Sequence, residues 1–154
     1  MIRKILLTLS FAPVLLLSAC SYRYDFVVVN KSDGVIEVQY RLKQQNPQAP
    51  GKFVGINPPA KLGIKEFEKS EREWGELPKE QYHFDNLTGI FTVSVAPNEV
   101  LLLSFAYNYQ GHDNEFALAN IKITGAKGSI ILEGRQAQTQ FKIESDTKYV
   151  LQYR

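Results

Sequence analysis

The chain is short of the residues that most often carry chemistry. Among its 154 residues there is one cysteine, Cys20, so no disulfide can close within the chain and a cysteine-built zinc cage is excluded. There are two histidines, His83 and His112, and one tryptophan, Trp74. No serine sits in a Gly-x-Ser-x-Gly turn, so the nucleophile elbow of the α/β-hydrolases is absent. Charge of one sign is lacking as well. The chain has 18 Lys and Arg against 16 Asp and Glu, and the surplus is Arg3 and Lys4. From Cys20 onward the net charge is zero, which leaves no electrostatic footprint for nucleic acid and no polybasic membrane patch. A long apolar run is missing too. Ile5 to Leu17 is 13 residues by count and contains Pro13, whereas a membrane-spanning helix needs about 20 residues.

What is present begins at the N-terminus. Met1-Ile2-Arg3-Lys4 is a short basic segment, Ile5–Leu17 an apolar stretch, and Ser18-Ala19 a pair of small residues before Cys20. That succession reads as a secretory signal peptide over residues 1–19. Its last four residues, Leu17-Ser18-Ala19-Cys20, resemble the lipobox of bacterial lipoproteins. The resemblance covers residues 1–20 only. It implies cleavage before Cys20, acylation of the Cys20 thiol and of the new amino group, and anchoring to a membrane. Two or three acyl chains at about 0.8 kcal/mol per buried CH₂ hold a protein almost permanently. Ser21 follows the cysteine, which resembles the outer-membrane class of such proteins and implies the periplasmic face of the outer membrane.

The remainder, residues 20–154, has the length of one domain and must rest on a hydrophobic core. Most of it reads as strand. Tyr22–Val29 is β-branched and aromatic, and Asn30–Gly34 supplies turn residues. Ile36, Val38, Tyr40 and Leu42 alternate with polar residues, the period of a strand with one wet face. Residues 43–61 are loop chemistry, with Phe53–Ile56 as a short edge strand. Residues 62–85 leave a short helix within 62–80 and an irregular loop both open. Ile90–Val95 alternates again, and Val100–Tyr107 is apolar enough for a central strand buried on both faces. Phe116–Thr124, Ser129–Glu133, Gln136–Glu144 and Lys148–Arg154 read as further strands, the last with Tyr149, Leu151 and Tyr153 inward. About eight or nine short strands with regular turn signals predict an all-β antiparallel β-sandwich, immunoglobulin-like or related, rather than a barrel.

The first strand starts close to Cys20, so a lipid-anchored domain would sit near the bilayer and work there. The only clustered polar loop, Gln110–Glu115, places His112 beside Asp113, a pairing suited to acid–base work or metal binding. Adjacent residues on a strand point to opposite faces, however, and a solvated connection explains the loop equally. Tyr107 and Tyr109 flank it and suit a sugar- or peptide-binding patch. Trp74, in the charged run from Lys65 to Glu80, is either an interface anchor or a cap on one end of the core. No metal site and no cofactor is expected. The expectation is a non-enzymatic, membrane-anchored envelope protein that binds or scaffolds another envelope component. The alternatives are a hydrolase or small-ligand binder using residues 107–115, and an inhibitor of a secreted enzyme presented on loop 43–61 or 108–115.

Overall fold

The computed structural model describes residues 21–43, 58–69, 73–111, 116–145 and 147–154. The leader and Cys20, the edge strand expected at 53–56, and His112, Asp113 and Glu115 lie outside the described residues.

Among the described residues, eleven strands form two sheets. They are β1 (Arg23–Asn30), β2 (Ile36–Leu42), β3 (Ala60–Gly63), β4 (Gly75–Glu76), β5 (Tyr82–Asp85), β6 (Ile90–Val95), β7 (Glu99–Tyr107), β8 (Leu118–Gly125), β9 (Gly128–Glu133), β10 (Lys142–Ser145) and β11 (Lys148–Tyr153). A single turn of helix, α1 (Ile64–Phe67), follows β3, and a seven-residue helix, α2 (Gly134–Gln140), follows β9. One sheet runs β10-β11-β1-β7-β3-β4 and the other β5-β6-β2-β8-β9. The fold is an all-β sandwich. Every pairing is antiparallel except β1 with β11, where Asp25–Asn30 lies parallel to Lys148–Tyr153.

The alternation in β2 does what its period requires. Ile36, Val38, Tyr40 and Leu42 enter the core between the sheets, while Glu37 and Arg41 are exposed. In β1 there is no alternation because both faces are covered. Phe26 and Val28 join the core between the sheets, and Val27 and Val29 join a second core on the outer face of the same sheet. Ala60, Phe67, Val100, Leu102 and Val150 complete that second core, with Ile64, Trp74 and Phe105 packed against it. β7 is therefore buried on both faces, as its composition indicates: Leu101 and Leu103 face inward, Val100 and Leu102 outward. A bulge at Leu103–Ser104 sets two residues opposite Phe26 and turns both toward the inner face.

The register defines two ends. Arg23 pairs with Tyr107, Asp25 with Lys148, Leu42 with Leu118, and Arg41 with Ile90, so the start of β1 shares one end with the finish of β7 and β2 and the start of β11, β8 and β6. Asn30 and Tyr153 pair at the other end. Asn30 is fully buried and donates from Nδ2 to Gly34 O at 2.8 Å and Val95 O at 2.9 Å, while its Oδ1 accepts from Ser32. It is a structural turn residue.

Three expectations are corrected. Gln136–Glu144 is not one strand. It is α2 followed by the separate short strand β10, because Ala137 and Phe141, four apart, bury one helical face against the core. The strand count exceeds nine because β3, β4 and β5 are two to four residues long, below the length at which alternation can be seen. Trp74 does not cap an end of the main core. It lies half-buried on the outer face, its ring 6.1 Å from that of Phe67 and its Nε1 donating to Asp25 Oδ2 at 3.1 Å.

Candidate functional site

Two recesses lie on the side of the sandwich bounded by β9 and β10. The first is built by the residues that follow β7. Asn108 takes a left-handed conformation, φ 51°, and its amide and side chain bracket Tyr22: Asn108 N donates to Tyr22 O at 2.8 Å, and Tyr22 N donates to Asn108 Oδ1 at 3.0 Å. That turn reverses the chain and drives Tyr109 into the core, where it is 7% exposed. Its ring meets Phe26 edge-on at 5.0 Å and Tyr149 at 5.2 Å, within a cluster that includes Tyr24, Phe116 and Phe141. Gln138, on α2, donates to the Tyr109 hydroxyl and to Gly111 O at 3.0 Å. Between them opens a recess of about 220 Å³ lined by Tyr109, Gly111, Arg135, Gln138, Thr139 and Tyr149. Burial, with Tyr24 beside it, holds the Tyr149 phenol above its ordinary range, so its hydroxyl stays a neutral donor at physiological pH.

The sequence-predicted residues divide. Tyr109 is a core residue with its hydroxyl at the recess. Tyr107 is on the opposite face of its strand, 61% exposed and packed edge-on against Phe105. His83 is exposed on β5, the far edge strand of the second sheet from β9, so it does not meet the Tyr109 recess. His112 and Asp113 lie outside the described residues. Among the described residues no three His, Cys, Asp or Glu side chains cluster as metal ligands. Arg135, Gln138 and Thr139 were not singled out from the sequence, and Tyr149 was expected only as an inward-facing strand residue. The readable signal was the four-residue spacing of Ala137 and Phe141, which puts Gln138 and Arg135 on a helix rather than a strand.

The second recess follows from unequal strand lengths. β10 has four residues, and its register on β11 reaches only from Lys148 to Val150. Among the described residues, nothing pairs with Leu151–Tyr153 on that side, although β1 pairs with them on the other. A notch of about 430 Å³ results, walled by Gln140, Lys142, Ile143, Leu151, Gln152 and Arg154. Ile143 stands at its edge 65% exposed, while Gln152 is fixed by donating to Glu144 Oε1 at 2.6 Å and accepting from Arg154. In a ladder, half of the backbone N–H and C=O groups face each neighbour, so among the described residues no strand meets the groups of Leu151–Tyr153 that face the notch, beside an apolar side chain.

The chain matches no family model, no curated protein and no solved structure. Its class accordingly rests on its own architecture: a two-sheet β-sandwich, eleven strands among the described residues, with a second small core on one outer face.

Proposed function

We propose that this is a lipid-anchored protein of the bacterial envelope, held through Cys20 at the periplasmic face of the outer membrane, which binds a partner protein without catalysing a reaction. The partner segment is extended and adds as a short strand along Leu151–Tyr153, in line with β10, with an apolar side chain against Ile143. One observation carries the reading: among the described residues no strand pairs with Leu151–Tyr153 beyond the end of β10, and a notch wide enough for an extended segment lies there. The register supports the arrangement. β1 begins three positions after Cys20 at one end, whereas Leu151–Tyr153 approaches the opposite end, so the notch is turned away from the anchor.

The test is photocrosslinking in native membranes, with a photoreactive residue in place of Lys142 at the notch or, as control, of Val35. The expected result is a single envelope protein captured from position 142 alone, through an extended segment, and lost when Ile143→Asp or Cys20→Ala is added. Equal capture from both positions, or capture unaffected by Ile143→Asp, overturns the reading.

A second reading, a small-ligand site at Tyr109, is supported by the convergence of Arg135, Gln138 and two phenols. It stands second because its volume of about 220 Å³ is below the roughly 300–1,000 Å³ of ordinary ligand pockets. Binding of short oligosaccharides or peptides, abolished by Gln138→Ala, would promote it.

A further inference from the structure

We infer that the end of the sandwich carrying the start of β1 rests on the bilayer surface, with Tyr22, Leu87 and Tyr107 set into the headgroup layer. The inference builds on the lipidation of Cys20 proposed above. Three residue steps separate Cys20 from Arg23, the first residue of β1. A fully extended chain covers about 3.3–3.6 Å per residue, so the tether reaches roughly 10 Å at most. The polar layer of one leaflet is itself about 5–8 Å deep, half the difference between the whole bilayer and its hydrocarbon core. A tether of that length leaves little room between the domain and the headgroups, and the strand it leads into is interior to its sheet.

The side chains at that end suit the position. Tyr22 is 60% exposed, Tyr107 61% and Leu87 81%, and all three belong to the same end by register. Tyr22 precedes Arg23, which pairs with Tyr107, and Leu87 caps the turn between Asp85 and Ile90, themselves a pair. The strands come from both sheets, so the three side chains spread across the end rather than along one edge. They are also held in place. Tyr22 is bracketed by Asn108, and the Leu87 amide donates to Asp85 Oδ1 at 2.8 Å while Thr88 Oγ1 donates to Asp85 Oδ2 at 2.6 Å. Tyrosine rings concentrate at membrane–water interfaces, where the ring leaves water and the hydroxyl keeps it. No net positive charge is needed, since the acyl chains supply the affinity and these three residues supply the orientation.

The chain's single cysteine makes the test direct. Once Cys20 is acylated, a cysteine introduced by Leu87→Cys, Tyr107→Cys or Val35→Cys is the only free thiol. Val35 is exposed in the turn between β1 and β2, at the opposite end. Each full-length lipidated variant, carrying a fluorescent label, is placed in vesicles of phosphatidylethanolamine and phosphatidylglycerol. The expected result is that labels at 87 and 107 are quenched by bromine-bearing lipid and shielded several-fold from an aqueous quencher relative to the label at 35. Equal aqueous quenching at all three positions overturns the inference while leaving lipidation standing. Shielding at 87 and 107 without quenching by brominated lipid also overturns it, because a protein surface, a second copy included, then covers that end. The mass of the N-terminal peptide separates the parent reading: a Cys20 without acyl chains overturns both.

Discussion

Tyr40 shows how one atom can work against the packing around it. Its ring stacks on Phe91 with centroids 5.0 Å apart, and the side chain is 1% exposed. Among the described residues its buried hydroxyl has no hydrogen-bond partner, and neither has that of Ser104. An unpaired buried polar group costs about 1–3 kcal/mol, so Tyr40→Phe, which keeps the stack, is expected to stabilise the protein by about 1 kcal/mol. The same burial, aided by Tyr82, raises the Tyr40 pKa beyond the alkaline range. The sign follows directly. A folded-state pKa above the unfolded value of about 10 leaves stability intact below that pH, and stability is lost as the unfolded chain ionises above it. Urea midpoints measured on either side of pH about 10 should fall less steeply in Tyr40→Phe than in the native chain. A midpoint that drops at neutral pH would mean that the hydroxyl is bonded after all.

At the scale of elements, α2 is the piece least evident beforehand. Gly134-Arg135-Gln136-Ala137-Gln138-Thr139-Gln140 contains one apolar residue, so neither a period of two nor one of 3.6 stands out within it. Its helical state is decided by what it covers. Ala137 is fully buried and Phe141 nearly so, and together they plug the side of the sandwich between β9 and β10. Small size at position 137 is required because the helix lies close over β8. Ala137→Leu should destabilise by about 1–3 kcal/mol, read from a thermal melt, and should loosen Tyr109 through the shift of Gln138. By contrast β2 and β6 were legible residue by residue, and β7 as a run buried on both faces. Six or more residues of regular alternation, or a long apolar run, admit one solution once a two-sided sheet is assumed. β4, with two residues, carries no such signal and exists because β3 offers it an edge.

For the whole molecule, the final strand is the structural surprise. β11 lies inside its sheet, between β10 and β1, and parallel to β1, so the chain's last strand pairs with its first. Val150 enters the outer core while Leu151 and Tyr153 enter the inner one, and the Tyr153 hydroxyl donates to Gly128 O at 3.1 Å, linking the two sheets. Removing Lys148–Arg154 should therefore abolish cooperative folding rather than fray an edge, as followed by near-ultraviolet circular dichroism and urea titration. A truncated chain that still melts cooperatively would show that β1 and β7 suffice for the first sheet. The candidate sites are products of this scale. The notch exists because β10 is shorter than β11, and the Tyr109 recess because α2 crosses from one sheet to the other.

Periodicity and composition by themselves determined the class of fold, the strands read at 22–29, 36–42, 90–95 and 100–107, each within a residue of the observed bounds, and the burial of β7 on both faces. These follow from local rules, since side-chain alternation and turn residues act over a few positions. Only the tertiary structure decided the parallel pairing of β1 with β11, the helix at 134–140, the outer core around Phe67 and Trp74, and the inward turn of Tyr109. Each of these depends on contacts between residues far apart in the chain, such as Asp25 with Trp74 or Tyr109 with Gln138. Their energy arises only when distant segments meet, and a reading along the chain carries no term for it.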